Sequence, residues 1–98
     1  MKSLDKIRKI FAKSKSILEH NFKVRRLGIF GSYLKGARNK KSDVDILVEF
    51  EQEGETFDNY MELKFFLEKM FKTKVDLILK DAVREEIKQD ILDEVVYV

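Results

Sequence analysis

Residues 31–50, GSYLKGARNKKSDVDILVEF, join the end of one apolar run to the start of another and set two carboxylates at that start. Leu27, Ile29 and Phe30 lead into the Gly31–Ser32 pair, and Ile46, Leu47 and Val48 follow Asp43 and Asp45. Charge at the mouth of a buried strand is costly unless something compensates it. Side chains alternate along a strand, so Asp43 and Asp45 share one face while Val44, Ile46 and Val48 share the other. The stretch predicts a strand that buries one side and presents acid on the other.

The rest of the chain supplies partners for that strand. VRRLGIF (24–30) reads as a strand ending at Gly31, and KVDLILK (74–80) as a third. In the third, Val75, Leu77 and Leu79 fall in one phase and Asp76 in the opposite one. If the two acid-bearing strands are neighbours, Asp43, Asp45 and Asp76 converge on the uncovered face of a sheet. Residues 4–20 carry Leu4, Ile7, Ile10, Phe11, Ile17 and Leu18 at helical spacing, with Ser3 as N-cap. A second long helix is expected over 57–71, from Phe57, Tyr60, Met61, Leu63, Leu67, Met70 and Phe71, and Phe65, Phe66 and Phe71 are read as core. Val83, Ile87 and Ile91, four apart, predict a helix over 82–93. The closing VVYV is a short apolar segment, read as covering the core in preference to forming a docking patch. Residues 32–42 read as a short helical turn and a loop, and EQEGET (51–56) as a loop around Gly54. This order predicts one α+β domain spanning 1–98, with helices laid on a small sheet.

Composition narrows the chemistry. With 98 residues there is room for one core. No cysteine is present, which removes disulfides and thiolate chemistry, and the single His20 argues against a histidine-built zinc site or a Ser–His triad. His20 is expected at a helix C-terminus, where its charge suits the dipole. The charged opening MKSLDKIRKIF lacks a signal-peptide core, and no apolar run approaches membrane-spanning length, so a cytoplasmic protein without membrane contact is expected. A net charge of +2 is too small to argue for nucleic acid.

Charge is unevenly placed along the chain. Lys23, Arg25, Arg26, Lys35, Arg38, Lys40 and Lys41 occur with no acid among them, whereas no Lys or Arg lies between Asp43 and Glu62. A basic loop beside a carboxylate cluster suits a polyphosphate on one side and its metals on the other. Three crowded carboxylates repel, and a divalent cation resolves the repulsion. Hard oxygen ligands favour magnesium or manganese. Two such ions would bridge the attacking and leaving oxygens of a phosphoryl or nucleotidyl transfer. Gly31 permits a sharp turn and close approach to a ligand, and Ser32 offers its hydroxyl and nearby N–H groups to phosphate oxygens.

GS, ten residues, then DVD, an apolar strand and a later VDLIL resembles the nucleotidyltransferase superfamily that includes DNA polymerase β. At this length the chain is most similar to the minimal nucleotidyltransferases (MNT), the antitoxin halves of HEPN/MNT toxin–antitoxin pairs. The resemblance runs from Val24 to the terminal ILDEVVYV and implies a small mixed sheet backed by helices on one face. It implies that Gly31 and Ser32 hold the triphosphate, with Lys35, Arg38 and Lys41 as further phosphate contacts. It implies that Asp43 and Asp45 ligate two magnesium ions (manganese as a substitute) and that Asp76 ligates the one activating the attacking hydroxyl. The implied activity is transfer of AMP from ATP to a tyrosine hydroxyl of a HEPN ribonuclease toxin, which silences it. Larger relatives carry extra domains that grip the base or acceptor, so the resemblance implies an acceptor delivered by a partner protein. A non-catalytic module that neutralises its partner by contact, a small-molecule nucleotidyltransferase, and a nucleic-acid surface on 23–41 are the competing readings. The last ranks lowest, because the acidic cluster repels phosphate when no metal is bound.

Overall fold

The computed structural model describes residues 4–30 and 44–98. Helix α1 (Leu4–His20) buries Ile7, Phe11 and Leu18 and leaves Ile17 on the surface. His20 is its last residue, exposed, with Nδ1 2.9 Å from the Ser16 carbonyl oxygen. Lys23, at φ 57°, turns the chain into β1 (Val24–Phe30). That strand pairs antiparallel with β2 (Val44–Phe50), and a bulge at Arg25 interrupts the register between Val24–Phe50 and Arg26–Glu49. A 3₁₀ turn at Gln52–Gly54 then leads to helix α2 (Phe57–Phe71). Thr56 caps the helix by accepting from the Asn59 N–H, and Asn59 Nδ2 donates to the carbonyls of Phe22 and Gly54. The helix ends at Lys72 in the left-handed region, whose N–H bonds the Glu68 carbonyl.

Parallel strands need a crossover, and α2 provides it: β3 (Val75–Leu79) returns alongside β2 in parallel. A 3₁₀ turn at Lys80–Ala82, helix α3 (Glu85–Glu94) and the two-residue β4 (Val96–Tyr97) complete the order. The mixed sheet runs β3-β2-β1-β4, with β4 antiparallel to β1. Beneath it lies one core, in which Ile7, Phe11 and Leu18 of α1 and Leu63, Leu67 and Phe71 of α2 meet Val44, Ile46, Val48, Val75 and Leu77. Both long helices therefore cover the sheet face that bears these residues, as the alternation requires. Among the described residues, no helix is long and apolar enough to cross a membrane.

Several expectations need correction. Phe65 is 58% exposed and not core, because the buried stripe of α2 is Leu63, Leu67 and Phe71, and two residues from Leu63 a helix points the other way. Phe66 is partly buried, its ring centre 5.1 Å from that of Phe22 with the rings tilted by 47°. The last helix begins at Glu85, since residues 80–82 form a 3₁₀ turn, and it buries no residue fully; Ile87 is exposed. The terminal apolar segment does cover the core as expected: it is half-buried, Val96–Tyr97 form a strand and Val98 packs on the core. Leu47, in phase with the carboxylates, is nonetheless buried at 1% exposure. On that face its register partner Gly28 lies against Val95 and Tyr97, and a Cβ there would collide with Val95 and come within 3.2 Å of Tyr97 Cδ1. The carboxylate face is thus open only in part. The Ser3 cap and the helical turn expected within 32–42 lie outside the described residues.

Candidate active site on the carboxylate face

Asp45 and Asp76 are each the second residue of their strand and are direct register partners in the parallel β2–β3 pair. Directly opposed residues project to one face from strands about 4.8 Å apart, so the two carboxylates are neighbours. Asp45 is half-buried and Asp76 exposed. On the other side of Asp45 stands buried Phe30, its partner on β1. The following pair, Ile46 and Leu77, points into the core. One apolar phase therefore anchors both strands while the other phase holds the acids at the same level.

Two carboxylates side by side, one of them reached by solvent, form a hard-oxygen donor pair that suits magnesium or manganese. Among the described residues there is no group of three or more His, Cys, Asp and Glu placed to hold a metal. Asp43, the expected third carboxylate, precedes β2 and lies outside the described residues, as do Gly31, Ser32, Lys35, Arg38 and Lys41. The structure thus brings together Asp45 and Asp76 from the expected set.

Around this pair stand groups with no motif of their own. Tyr60 of α2 donates its hydroxyl to the Leu77 carbonyl, and Glu68 Oε2 accepts the Val75 N–H at 3.1 Å. The Tyr60 phenol is held above its ordinary pKa, first by burial and then by the Asp76 charge, so it stays protonated and can donate. In the sequence Tyr60 looks like one more position of the apolar stripe. The available signal was its polar tip, since a half-buried tyrosine hydroxyl generally finds a partner.

Farther along the same face, Glu49 lies between two cations, with Oε1 3.5 Å from Lys80 Nζ and Oε2 3.8 Å from Arg26 Nη1. Among the described residues Oε2 is buried with no hydrogen bond, so its link to Arg26 is electrostatic alone. The Arg26 guanidinium also sits 3.8 Å from the centre of the Tyr97 ring, tying β4 to this network. Arg25, turned outward by the bulge, instead grips Glu51 with bonds of 3.1 and 3.2 Å. This lowers the Glu51 pKa and raises that of Arg25, the hydrogen bond being the larger cause in both.

Comparison with known proteins identifies the family and the fold. A family model described as nucleotidyltransferase domain matches residues 5–98. Protein adenylyltransferase MntA of Thermococcus cleftensis is 41% identical over 98 residues, a match covering 100% of this chain and 98% of that protein. A solved minimal nucleotidyltransferase superposes with a TM-score of 0.80 at 26% identity, over 97% of this chain and 95% of its own. A chain from the complex of tri-AMPylated Shewanella oneidensis HEPN toxin with MNT antitoxin shares the fold, with a TM-score of 0.64 at 21% identity, over 92% of this chain and 69% of its own.

Proposed function

The chain belongs to the nucleotidyltransferase domain family, and from that premise we propose that it is a magnesium-dependent protein adenylyltransferase acting as an antitoxin. It transfers AMP from ATP to a tyrosine hydroxyl of a HEPN ribonuclease partner, in the cytoplasm, and so neutralises it. The observation that carries this reading is the in-register Asp45–Asp76 pair on the carboxylate face. The adenylyltransferase relative supports the reaction type. The HEPN–MNT complex, whose toxin carries AMP, supports the class of partner.

In this reading Gly31 and Ser32 receive the triphosphate, with Lys35, Arg38 and Lys41 balancing its charge. Asp43, Asp45 and Asp76 would hold two magnesium ions, with Asp76 a ligand of the one that activates the acceptor hydroxyl. When bound, the ions supply charge neutralisation on the phosphates and a more acidic acceptor hydroxyl. The tyrosine oxygen bonds to the α-phosphorus, the bond to pyrophosphate breaks, and the phenolic proton is released. The carboxylate face, opposite the two long helices and open in part, admits a protruding segment of a partner, so docking supplies the alignment an in-line displacement needs. Rate therefore depends on complex formation and not on free tyrosine.

Mass spectrometry of the partner after incubation with ATP, magnesium and this protein tests the proposal. AMP is expected on partner tyrosine, and Asp45→Asn and Asp76→Asn are each expected to abolish it while remaining folded. A partner neutralised without modification would instead establish a contact antitoxin. Efficient transfer to free tyrosine or an aminoglycoside, with the partner unmodified, would establish a small-molecule transferase.

A further inference from the structure

We propose that Tyr60 and Glu68 are positioning residues that fix the strand carrying Asp76 at the height where its carboxylate meets that of Asp45. The inference rests on the reading of Asp76 as a metal-holding residue, and the observation behind it is the pattern of bonds on β3. Lys74 directs its carbonyl toward β2, where it accepts the Val44 N–H at 3.1 Å. Backbone direction alternates along a strand, so Asp76 and Ile78 also face β2, while Val75 and Leu77 face the opposite way. Among the described residues that side is the edge of the sheet, with no further strand beyond β3 in the β3-β2-β1-β4 order.

The outward groups on either side of Asp76 are held from α2. Glu68 Oε2 takes the Val75 N–H, and the Tyr60 hydroxyl is given to the Leu77 carbonyl. Asp76 is therefore bracketed, with its own backbone directed at β2 and both its neighbours held by side chains of the crossover helix. Glu68 is doubly engaged, since its carbonyl also accepts the Lys72 N–H that closes the helix. An edge strand held by backbone bonds on one side alone can fray or slide. Sliding by a fraction of a residue would change the carboxylate spacing with little change in the core, and metal affinity is sensitive to such outer partners.

The test is calorimetric titration of the full chain with manganese(II), with melting temperature recorded for every variant. Tyr60→Phe and Glu68→Ala are each expected to weaken manganese binding about tenfold, at the low end of the cost of losing an outer partner of a metal ligand. Glu68→Gln keeps an acceptor oxygen for the Val75 N–H and is expected to recover most of the affinity, which a role in charge alone would not allow. In transfer assays with the partner, Tyr60→Phe is expected to lower kcat and leave KM for ATP unchanged. If Asp76→Asn loses manganese while Tyr60→Phe and Glu68→Ala bind it as the wild type does, the positioning role is refuted and the site reading survives. If Asp76→Asn itself binds manganese like the wild type, the site reading fails and the positioning role falls with it.

Discussion

Gly28→Ala places a methyl group against Val95 and Tyr97 at the C-terminal strand. The new Cβ would collide with Val95 Cγ2 and lie 3.2 Å from Tyr97 Cδ1. Val95 is β-branched and stiff at χ1, so it has little freedom to turn aside. Relief comes along one of two paths. If the backbones shift and β4 stays, the cost is that of an overpacked core, about 1–3 kcal/mol. If β4 peels away, the Arg26–Tyr97 contact is lost, at about 0.5–1 kcal/mol. The same path sacrifices the ladder at Gly28–Tyr97 and Ile29–Val96 and the 2.9 Å bond from Val98 N–H to the Leu27 carbonyl, at about 0.5–1.5 kcal/mol per bond. With one bond counted per ladder pair, the peeling path sums to about 2–5.5 kcal/mol, so the cheaper shift sets the loss at about 1–3 kcal/mol. For a domain of this size that corresponds to a fall in Tm of about 5–20 °C. Scanning fluorimetry reads the Tm, and hydrogen exchange at the Val98 amide separates the paths, because only peeling deprotects it. Manganese affinity should be retained, since Gly28 pairs with Leu47 and not with Asp45. A Tm within about 2 °C of wild type would refute the packing argument, because it would mean Val95 and Tyr97 yield without cost.

Two further outcomes follow from polar groups outside the site. Asn59→Ala leaves the Phe22 and Gly54 carbonyls without the donor that ties the start of α2 to both preceding turns, and should cost about 1–3 kcal/mol in denaturant unfolding, with m unchanged. An unchanged unfolding midpoint would show that water replaces the amide freely. For Glu51, the folded pKa lies below its ordinary 4.5, so its pairing with Arg25 stabilises the fold above that value and fades as pH falls through the lowered pKa. Glu51→Gln should therefore show a shallower loss of Tm than wild type below pH 4.5, the effect being small and reduced by salt because the pair is exposed. Parallel Tm curves for the two proteins would refute it.

Strand phase was the most legible feature of the sequence. VRRLGIF and VDILVEF match β1 and β2 residue for residue, and the third strand lies within one residue of its expected limits at each end. Asp45 and Asp76 were placed on one face by alternation alone, and the register confirms the pairing. What alternation could not reveal was the second layer on that face. Leu47 shares the phase of the acids yet is buried, beside a glycine whose missing side chain admits Val95 and Tyr97. A two-residue strand such as β4 has too few positions to show a period, so its apolar character could not distinguish a strand from a cover. Phe65 was misplaced for a different reason: composition marked α2 as aromatic, whereas only the Leu63–Leu67–Phe71 row is fully buried. Tyr60 and Glu68 act through backbone groups of β3, and such bonds have no sequence signature because any strand offers the same N–H and carbonyl.

The register that builds the core and the register that builds the site are one and the same. Ile46 opposes Leu77 and Val44 opposes Val75, all buried, and Asp45 opposes Asp76 between them. Sliding β3 by one residue against β2 would set Val75 or Leu77 beside Asp45 on the carboxylate face and send Asp76 toward α1 and α2. Burying that carboxylate without a partner costs several kcal/mol, and exposing Val75 and Leu77 adds to the loss. The misregistered sheet is thus rejected by core packing alone, before any metal or nucleotide arrives. Residual freedom lies within a single register, in how far β3 moves along its own edge, and that is the motion Tyr60 and Glu68 oppose from the helix side. Stability therefore selects the pairing of Asp45 with Asp76, while the two bonds from α2 set its precision. Variants of the first kind should unfold the chain. Those of the second should leave it folded with a weaker metal site.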